Sequence, residues 1–188
     1  NQTKEQKESV RKRESIAEAH VLGTEPVFLN LGFYDGGEKS FVKDKQKILA
    51  QFKRIRPDIV FLPQENDTHP THRFSRRLAI EAMARLKKKP EIWDYETPWG
   101  LFTHKGFNAI VEFCGNTLEK KNLSIKKHLS QIKRTRFDVA AKNIARFRAI
   151  VIGEQILSDF GRSSPKTLPF MELFKIEPSH ETYKKAFS

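Results

Sequence analysis

Residues 56–72 read Arg56-Pro57-Asp58-Ile59-Val60-Phe61-Leu62-Pro63-Gln64-Glu65-Asn66-Asp67-Thr68-His69-Pro70-Thr71-His72. The continuous apolar run Ile59 to Leu62, bounded by proline on both sides, predicts a short buried strand. Upstream, Ile48, Leu49, Phe52 and Ile55 fall at i, i+1, i+4 and i+7. They mark one face of a helix over about 39–55, which Arg56-Pro57-Asp58 ends. Downstream, Phe74, Leu78, Ala82 and Leu86 recur every fourth residue and predict a further helix. An earlier apolar run, Pro26 to Leu31, also reads as a buried strand, followed by turn chemistry at Gly32, Asp35, Gly36 and Gly37. Strand, helix, strand, helix with continuous apolar strands predicts an α/β fold: a Rossmann-like, mostly parallel sheet with helices on both faces.

Working outward, Lys4 to Leu22 carries neither Gly nor Pro and predicts an amphipathic helix closed by Gly23. Ile92 to Tyr95 and Asn108 to Phe113 are candidate strands, separated by the aromatic turn Thr97-Pro98-Trp99-Gly100. Helices are expected over about 117–134, with Leu118, Ile125, Leu129 and Ile132 on one face, and over about 139–160. The tail from Ser163 holds Pro165, Pro169 and Pro178 and reads as irregular with a short strand. With no internal repeat and no linker, the 188 residues read as one domain.

Composition narrows the classes. Hydrophobic residues make up 38% and charged residues 31%, which excludes a disordered or collagen-like chain. No apolar run reaches the roughly 18 residues of a membrane span, and no secretory signal pattern opens the sequence. A cytoplasmic location is expected. The single cysteine, Cys114, excludes an internal disulfide framework and is expected to be a small buried hydrophobe. With 35 Lys+Arg against 23 Asp+Glu, the net charge is +12. An anionic partner fits that balance, and so does a solvated basic surface. Lys120, Lys127 and Arg134, with Lys126 and Lys133 beside them, predict a basic stripe on the 117–134 helix, read chiefly as a solvated face. Without a zinc finger, an RNA-recognition signature or a phosphate loop, a nucleic-acid-binding module stays a secondary reading.

Unusual chemistry concentrates in residues 63–72, just beyond the carboxyl end of the Ile59–Leu62 strand, where α/β sheets place their ligands. Asp67, His69 and His72 lie within six residues. Spacing alone leaves two readings open: imidazoles converging on a metal, or a polar loop whose histidines cap the next helix or sit in solvent. A catalytic zinc needs three protein ligands and an open position. Asp67 suits either a third ligand or a residue that orients a histidine from behind. Trp93, Tyr95 and Trp99 offer either a sugar-stacking wall or core packing.

Taken in order, Arg11-x-x-Glu14, Leu22-Gly23, Leu31-Gly32-Phe33-Tyr34-Asp35-Gly36, Arg56-Pro57-Asp58-Ile59-Val60 and Asp67-x-His69-Pro70-x-His72 resemble the LmbE-like, or PIG-L, zinc de-N-acetylases. His128-x-Ser130-Gln131 is similar to an element of many bacterial members. The resemblance runs from Arg11 to Gln131. The C-terminal part also resembles the deacetylase-like domain fused behind some glucosamine-6-phosphate deaminase domains.

The resemblance implies a zinc-dependent hydrolase that removes the acetyl group from an N-acetylglucosamine-type amino sugar or conjugate. It implies His72 as a zinc ligand, His69 as the group serving the carbonyl or oxyanion, Asp67 behind the ligands, and Arg11 reaching substrate. His128 is a further candidate for substrate binding, with a place at the edge of the Ile125–Leu129–Ile132 face as its structural alternative. The residue types suit amide hydrolysis. Zinc lowers the pKa of water to about 7, and a preorganised donor stabilises the developing oxyanion. Partners implied are the sugar and further copies of the chain as a homo-oligomer.

Two positions depart from the family. Its Ala-His-Pro-Asp-Asp-Glu motif, the source of two further ligands and the general base, is not among these residues. The expectation is a domain lacking its first strand, with a catalytically incomplete scaffold as the alternative. Thr71 stands where the family usually has Asp, so His69 lacks a neighbouring carboxylate at that position.

Overall fold

Helix α1 (Lys4–Leu22) starts on a reciprocal cap: the Gln6 amide donates to Thr3 Oγ1 at 3.3 Å, and the Thr3 amide to Gln6 Oε1 at 2.9 Å. It ends as its sequence predicts, with Gly23 at φ 75°, a left-handed cap open to glycine at no steric cost. The computed structural model describes residues 3–32, 36–103, 106–159 and 170–177. The chain divides into two compact units, Asn1–Phe28 with Val111–Glu172, and Leu29–Ile110 with Leu173–Ser188.

In the first unit α1 packs against α4 (Gly115–Ile125), and α4 against α6 (Phe137–Asp159). Leu118, Ala145 and Phe170 form its core, with Phe113 stacked on Phe170 at 6.0 Å between ring centroids. The single helix expected over 117–134 is two pieces, α4 and the short α5 (Leu129–Ile132), broken at residues 126–128. The break has a long-range cause. Buried Glu14 on α1 accepts both the amide and the hydroxyl of Ser130 at 2.7 Å, so α5 receives its N-terminal cap from another helix. Burial pushes the Glu14 carboxyl up, but the two Ser130 bonds and the charges of Arg11 and His128 outweigh it and hold it below its usual value. The expected basic stripe is therefore not one continuous helix face. Cys114, expected buried, is exposed as the N-cap residue of α4, because β3 (Ala109–Phe113) ends directly before it.

In the second unit a 3-10 turn (Gly37–Ser40) leads into α2 (Phe41–Ile55), then β1 (Ile59–Pro63), α3 (Pro70–Met83) and β2 (Glu91–Tyr95). Buried Asp44 anchors the glycine turn, accepting from the Gly32 amide and the Ser40 hydroxyl, both at 2.8 Å. Leu62, Ala79, Ile80, Met83 and Ile92 make the core, and α2 packs on α3. Lys89 Nζ donates to the Met83 carbonyl at 3.1 Å, meeting a carbonyl at the C-terminus of α3.

The α/β reading holds, with a four-stranded sheet flanked by helices in the order β1-β2-β4-β3. Its mostly parallel character does not hold. β1 and β2 run parallel, from Ile59 opposite Glu91 to Pro63 opposite Tyr95, with α3 as the crossover. β4 (Phe170–Glu177) runs antiparallel to β2, with Tyr95 opposite Phe174 and Ile92 opposite Glu177, and the sheet is mostly antiparallel. Strand–helix periodicity fixes the direction of a crossover pair. It carries no directional information for a strand reached through the proline-rich stretch after Ser163.

Pro26–Leu31 forms no strand: Val27 and Phe28 are exposed, and Asn30 at φ 45° interrupts the extended run. β1 is an edge strand among the described residues, with Ile59 exposed and Phe61 55% exposed despite the continuous apolar run. Phe33 to Asp35, the end of the helix at Phe160, and the tail residues 163–169 and from Pro178 on lie outside the described residues.

Candidate functional site

Because β1 and β2 are parallel, their carboxyl ends lie side by side and the loops leaving them meet. The Gln64 amide bonds the Tyr95 carbonyl at 3.2 Å, and beyond that point two segments face each other, residues 64–69 and the turn 97–100. The turn closes on itself through Thr97 and Gly100, each amide bonding the other's carbonyl at 3.1 and 3.0 Å. It is pinned to the first loop by the Trp99 carbonyl, which accepts the Thr68 amide and hydroxyl, both at 3.1 Å. A Cβ at Gly100 would sit 2.9 Å from Asp67 Cα, so only glycine lets the turn lie this close to the aspartate.

Asp67 is the hub. Its side chain is buried, and three donors surround the carboxylate. Oδ1 accepts the His69 amide at 2.7 Å, and Oδ2 accepts the Thr97 hydroxyl at 2.5 Å and faces His72 Nδ1 at 2.8 Å. Burial raises the Asp67 carboxyl, but the bonds from Thr97, His72 and the His69 amide outweigh it and keep it below its ordinary value. An ionised carboxylate only accepts, so Nδ1 of His72 is the donor, and in the neutral imidazole the lone pair is then on Nε2. The same negative charge, together with burial as the larger cause, raises the phenol of Tyr95.

His69 is the N-cap residue of α3 and Pro70 opens the helix, which sets the two imidazoles one turn apart. Their ring centroids are 4.6 Å apart. Trp99, 40% exposed, covers both, at 4.9 Å from His69 and 5.5 Å from His72. Two buried polar atoms beside this group, His69 Nδ1 and Gln64 Nε2, have no hydrogen-bond partner among the described residues. Such atoms cost free energy unless something else meets them. One turn beyond His72, buried Arg76 donates to the Pro63 carbonyl at 2.9 Å, to Asp94, and to Glu177 Oε1 at 3.2 Å, tying the start of the loop to β2 and β4.

The residues expected from sequence thus divide. Asp67, His69, His72 and Trp99 gather in the second unit. Arg11 lies on α1 and His128 at the start of α5, both in the first unit, where His128 Nε2 is 2.8 Å from Glu18 Oε2. Of the aromatic residues considered with Trp99, Trp93 packs on Phe61 and Phe174 at 5.8 and 5.4 Å. Sequence reasoning missed Thr97, Gln64 and Arg76. The first had a usable signal, since the aromatic turn follows a strand whose parallel neighbour leads into the histidine loop.

A zinc ion would find one well-prepared ligand here. His72 has its Nδ1 held by a carboxylate and its Nε2 open, the usual arrangement of a metal-binding histidine. Among the described residues, no three His, Cys, Asp or Glu side chains are grouped to hold a metal. Among the described residues the group therefore supplies at most part of a metal site.

Residues 1–83 match the family described as PIG-L, GlcNAc-PI de-N-acetylase. No curated protein matches the sequence. Among solved structures, the chain is similar to GalB, the 4-carboxy-2-hydroxymuconate hydratase of Pseudomonas putida KT2440, at 18% identity over 95% of this chain and 75% of that one, with a TM-score of 0.70. The conserved protein TT1542 of Thermus thermophilus matches at 21% identity over 91% and 74%, TM-score 0.64. A deacetylase of the teicoplanin biosynthesis pathway matches at 13% identity over 92% and 75%, TM-score 0.52. These likenesses are likenesses of fold. The matched stretch, residues 1–83, holds Asp67, His69 and His72, and over it the chain is similar to the PIG-L, or LmbE-like, de-N-acetylases.

Proposed function

We propose that the chain serves a zinc-dependent de-N-acetylase acting on an N-acetylglucosamine-type amino sugar or its conjugate. The observation that carries the reading is the Asp67–His72 pair at 2.8 Å beside a second histidine whose Nδ1 has no partner among the described residues. The family match over the same residues and the typical metal dependence of that family support it. Bound zinc would supply an activated water and polarise the amide carbonyl. Asp67 fixes the ring of His72 and leaves Nε2 to the metal, while His69 turns its imidazole to the carbonyl oxygen of the substrate. Arg11 is assigned to substrate and His128 to a supporting contact. The remaining ligands and the base that takes the proton from water come from outside the Asp67–His69–His72 group.

The test uses full-length protein loaded with zinc. Wild type is expected to bind one equivalent and to release acetate from N-acetylglucosamine conjugates, and His72→Ala is expected to lose both. Full zinc occupancy in His72→Ala would overturn the ligand assignment. Acetate is the informative product, because a fold shared with a hydratase does not choose the reaction.

Trp99 supplies the apolar wall against which a sugar face stacks. Trp99→Ala is expected to raise KM roughly two- to tenfold with kcat little changed, and Trp99→Phe to stay near wild type. A fall in kcat alone would refute the wall.

One observation favours a second reading, a catalytically incomplete scaffold: among the described residues no three ligating side chains are grouped. Full-length protein that neither binds zinc nor releases acetate would establish it.

A further inference from the structure

Three donors meet on Asp67, and one of them, the Thr97 hydroxyl, comes from the turn after β2 and not from the histidine loop. The direction of that hydroxyl is fixed. The Trp99 amide donates to Thr97 Oγ1 at 3.2 Å and occupies one of its lone pairs. Its single proton then goes to Asp67 Oδ2 at 2.5 Å, since an ionised carboxylate has no proton to offer in return. The turn has no freedom to withdraw, because it is closed at Thr97–Gly100, pinned at Thr68–Trp99, and seated on Asp67 where Gly100 leaves no room for a Cβ.

Consider the carboxylate without Thr97. The His69 amide would hold Oδ1 at 2.7 Å, but Oδ2 would keep His72 alone as its partner. The terminal torsion of an aspartate is soft. The plane of the carboxylate would then swing about the remaining bond, and Oδ2 would no longer be held opposite Nδ1. Oδ2 favours the proton on Nδ1 only while it stays opposite that atom, and no second bond would keep it there.

We propose that Thr97 is a positioning residue of the site: its hydroxyl locks the Asp67 carboxylate so that His72 carries its proton on Nδ1 and offers Nε2 as a metal ligand. Thr97 touches neither substrate nor metal and acts through Asp67. The metal part rests on the zinc reading above; the tautomer part stands without it.

The experiment compares wild type, Thr97→Val and Thr97→Ser in full-length protein. Ring nitrogen-15 NMR of metal-free protein reads the tautomer of His72, and competition with a chelating dye reads affinity for zinc. Wild type is expected to show His72 protonated on Nδ1. Thr97→Val, which keeps the shape and loses the hydroxyl, is expected to show a mixture of tautomers and about 10–100-fold weaker zinc binding. Thr97→Ser restores both. An unchanged nitrogen pattern in Thr97→Val overturns the proposal, even if zinc binding falls. Failure of Thr97→Ser to restore the pattern also overturns it, because the effect would then belong to packing. If wild type binds no zinc, the de-N-acetylase reading fails, and the nitrogen pattern still decides for or against Thr97.

Discussion

Arg76→Leu is expected to destabilise the protein by about 3–5 kcal/mol at pH 8, the usual consequence of removing one partner from a buried ionic group. For a chain of this length that is a fall of roughly 6–20 °C in Tm. The guanidinium is buried and serves three elements at once, through the Pro63 carbonyl, Asp94 and Glu177. Leucine fills part of its volume and leaves Asp94 and Glu177 facing each other with Lys175, 3.3 Å from Glu177 Oε1 and 40% exposed, as the remaining cation.

The penalty depends on pH, with a definite sign. Burial pushes the Asp94 carboxyl up to about 7, Arg76 opposes that rise, and the neighbouring Glu177 adds to it. Asp94 Oδ2 has no hydrogen-bond partner among the described residues, which leaves a place for the proton. A carboxyl whose folded pKa lies above its unfolded value takes up a proton on folding. It therefore favours the folded state fully below the unfolded pKa of 3.8, and that contribution is lost as pH rises towards about 7. Without Arg76 the opposing cation is gone and the pair holds its proton to higher pH. The gap in Tm between wild type and Arg76→Leu is expected to shrink between pH 8 and pH 5. A gap that stays constant over that range would show that the loss is one of packing alone.

His69→Ala is expected to lower kcat about 10²–10³-fold, with a much smaller change in KM, if His69 serves the oxyanion. The large factor follows from when the interaction forms. A donor aimed at the carbonyl oxygen is worth most as negative charge develops there, so its loss falls on the transition state and spares substrate binding. In the proposed role, its neighbours place the ring. Its amide is spent on Asp67 Oδ1, its ring lies against His72 and Trp99, and its Nδ1 has no partner among the described residues. Zinc content serves as the control, because His69→Ala should retain the metal that His72→Ala loses. A His69→Ala variant with kcat near wild type would remove the residue from the mechanism.

Local signals in the sequence proved readable where the structure is local. Gly23 ends α1, the spacing of Leu78 and Ala82 marks the buried face of α3, and Ile92 to Tyr95 lie in the strand expected there. The readings that failed depend on partners distant in sequence. Pro26–Leu31 has strand composition, but a strand exists only where a neighbour takes its hydrogen bonds, and none does so among the described residues. The break at His128 is set by Glu14, more than a hundred residues earlier, and no helical periodicity encodes that. The candidate site divides the same way. Asp67, His69 and His72 are legible because they lie within one short loop. Thr97 and Arg76 become meaningful once the parallel pairing of β1 and β2 sets the loop beside the turn and β4 brings Glu177 to the guanidinium.

The position of β4 in the sheet also shapes how the chain is born. β4 lies between β2 and β3, yet among the described strands it comes last in the sequence. At a ribosomal rate of about 5–20 residues per second, the interval between completing Tyr95 and completing Glu177 is roughly 4–16 s. Through that interval β2 presents an open edge and Arg76 waits for one of its two carboxylates. Pairing between strands so far apart in sequence is a long-range contact, of the kind that slows folding relative to local ones.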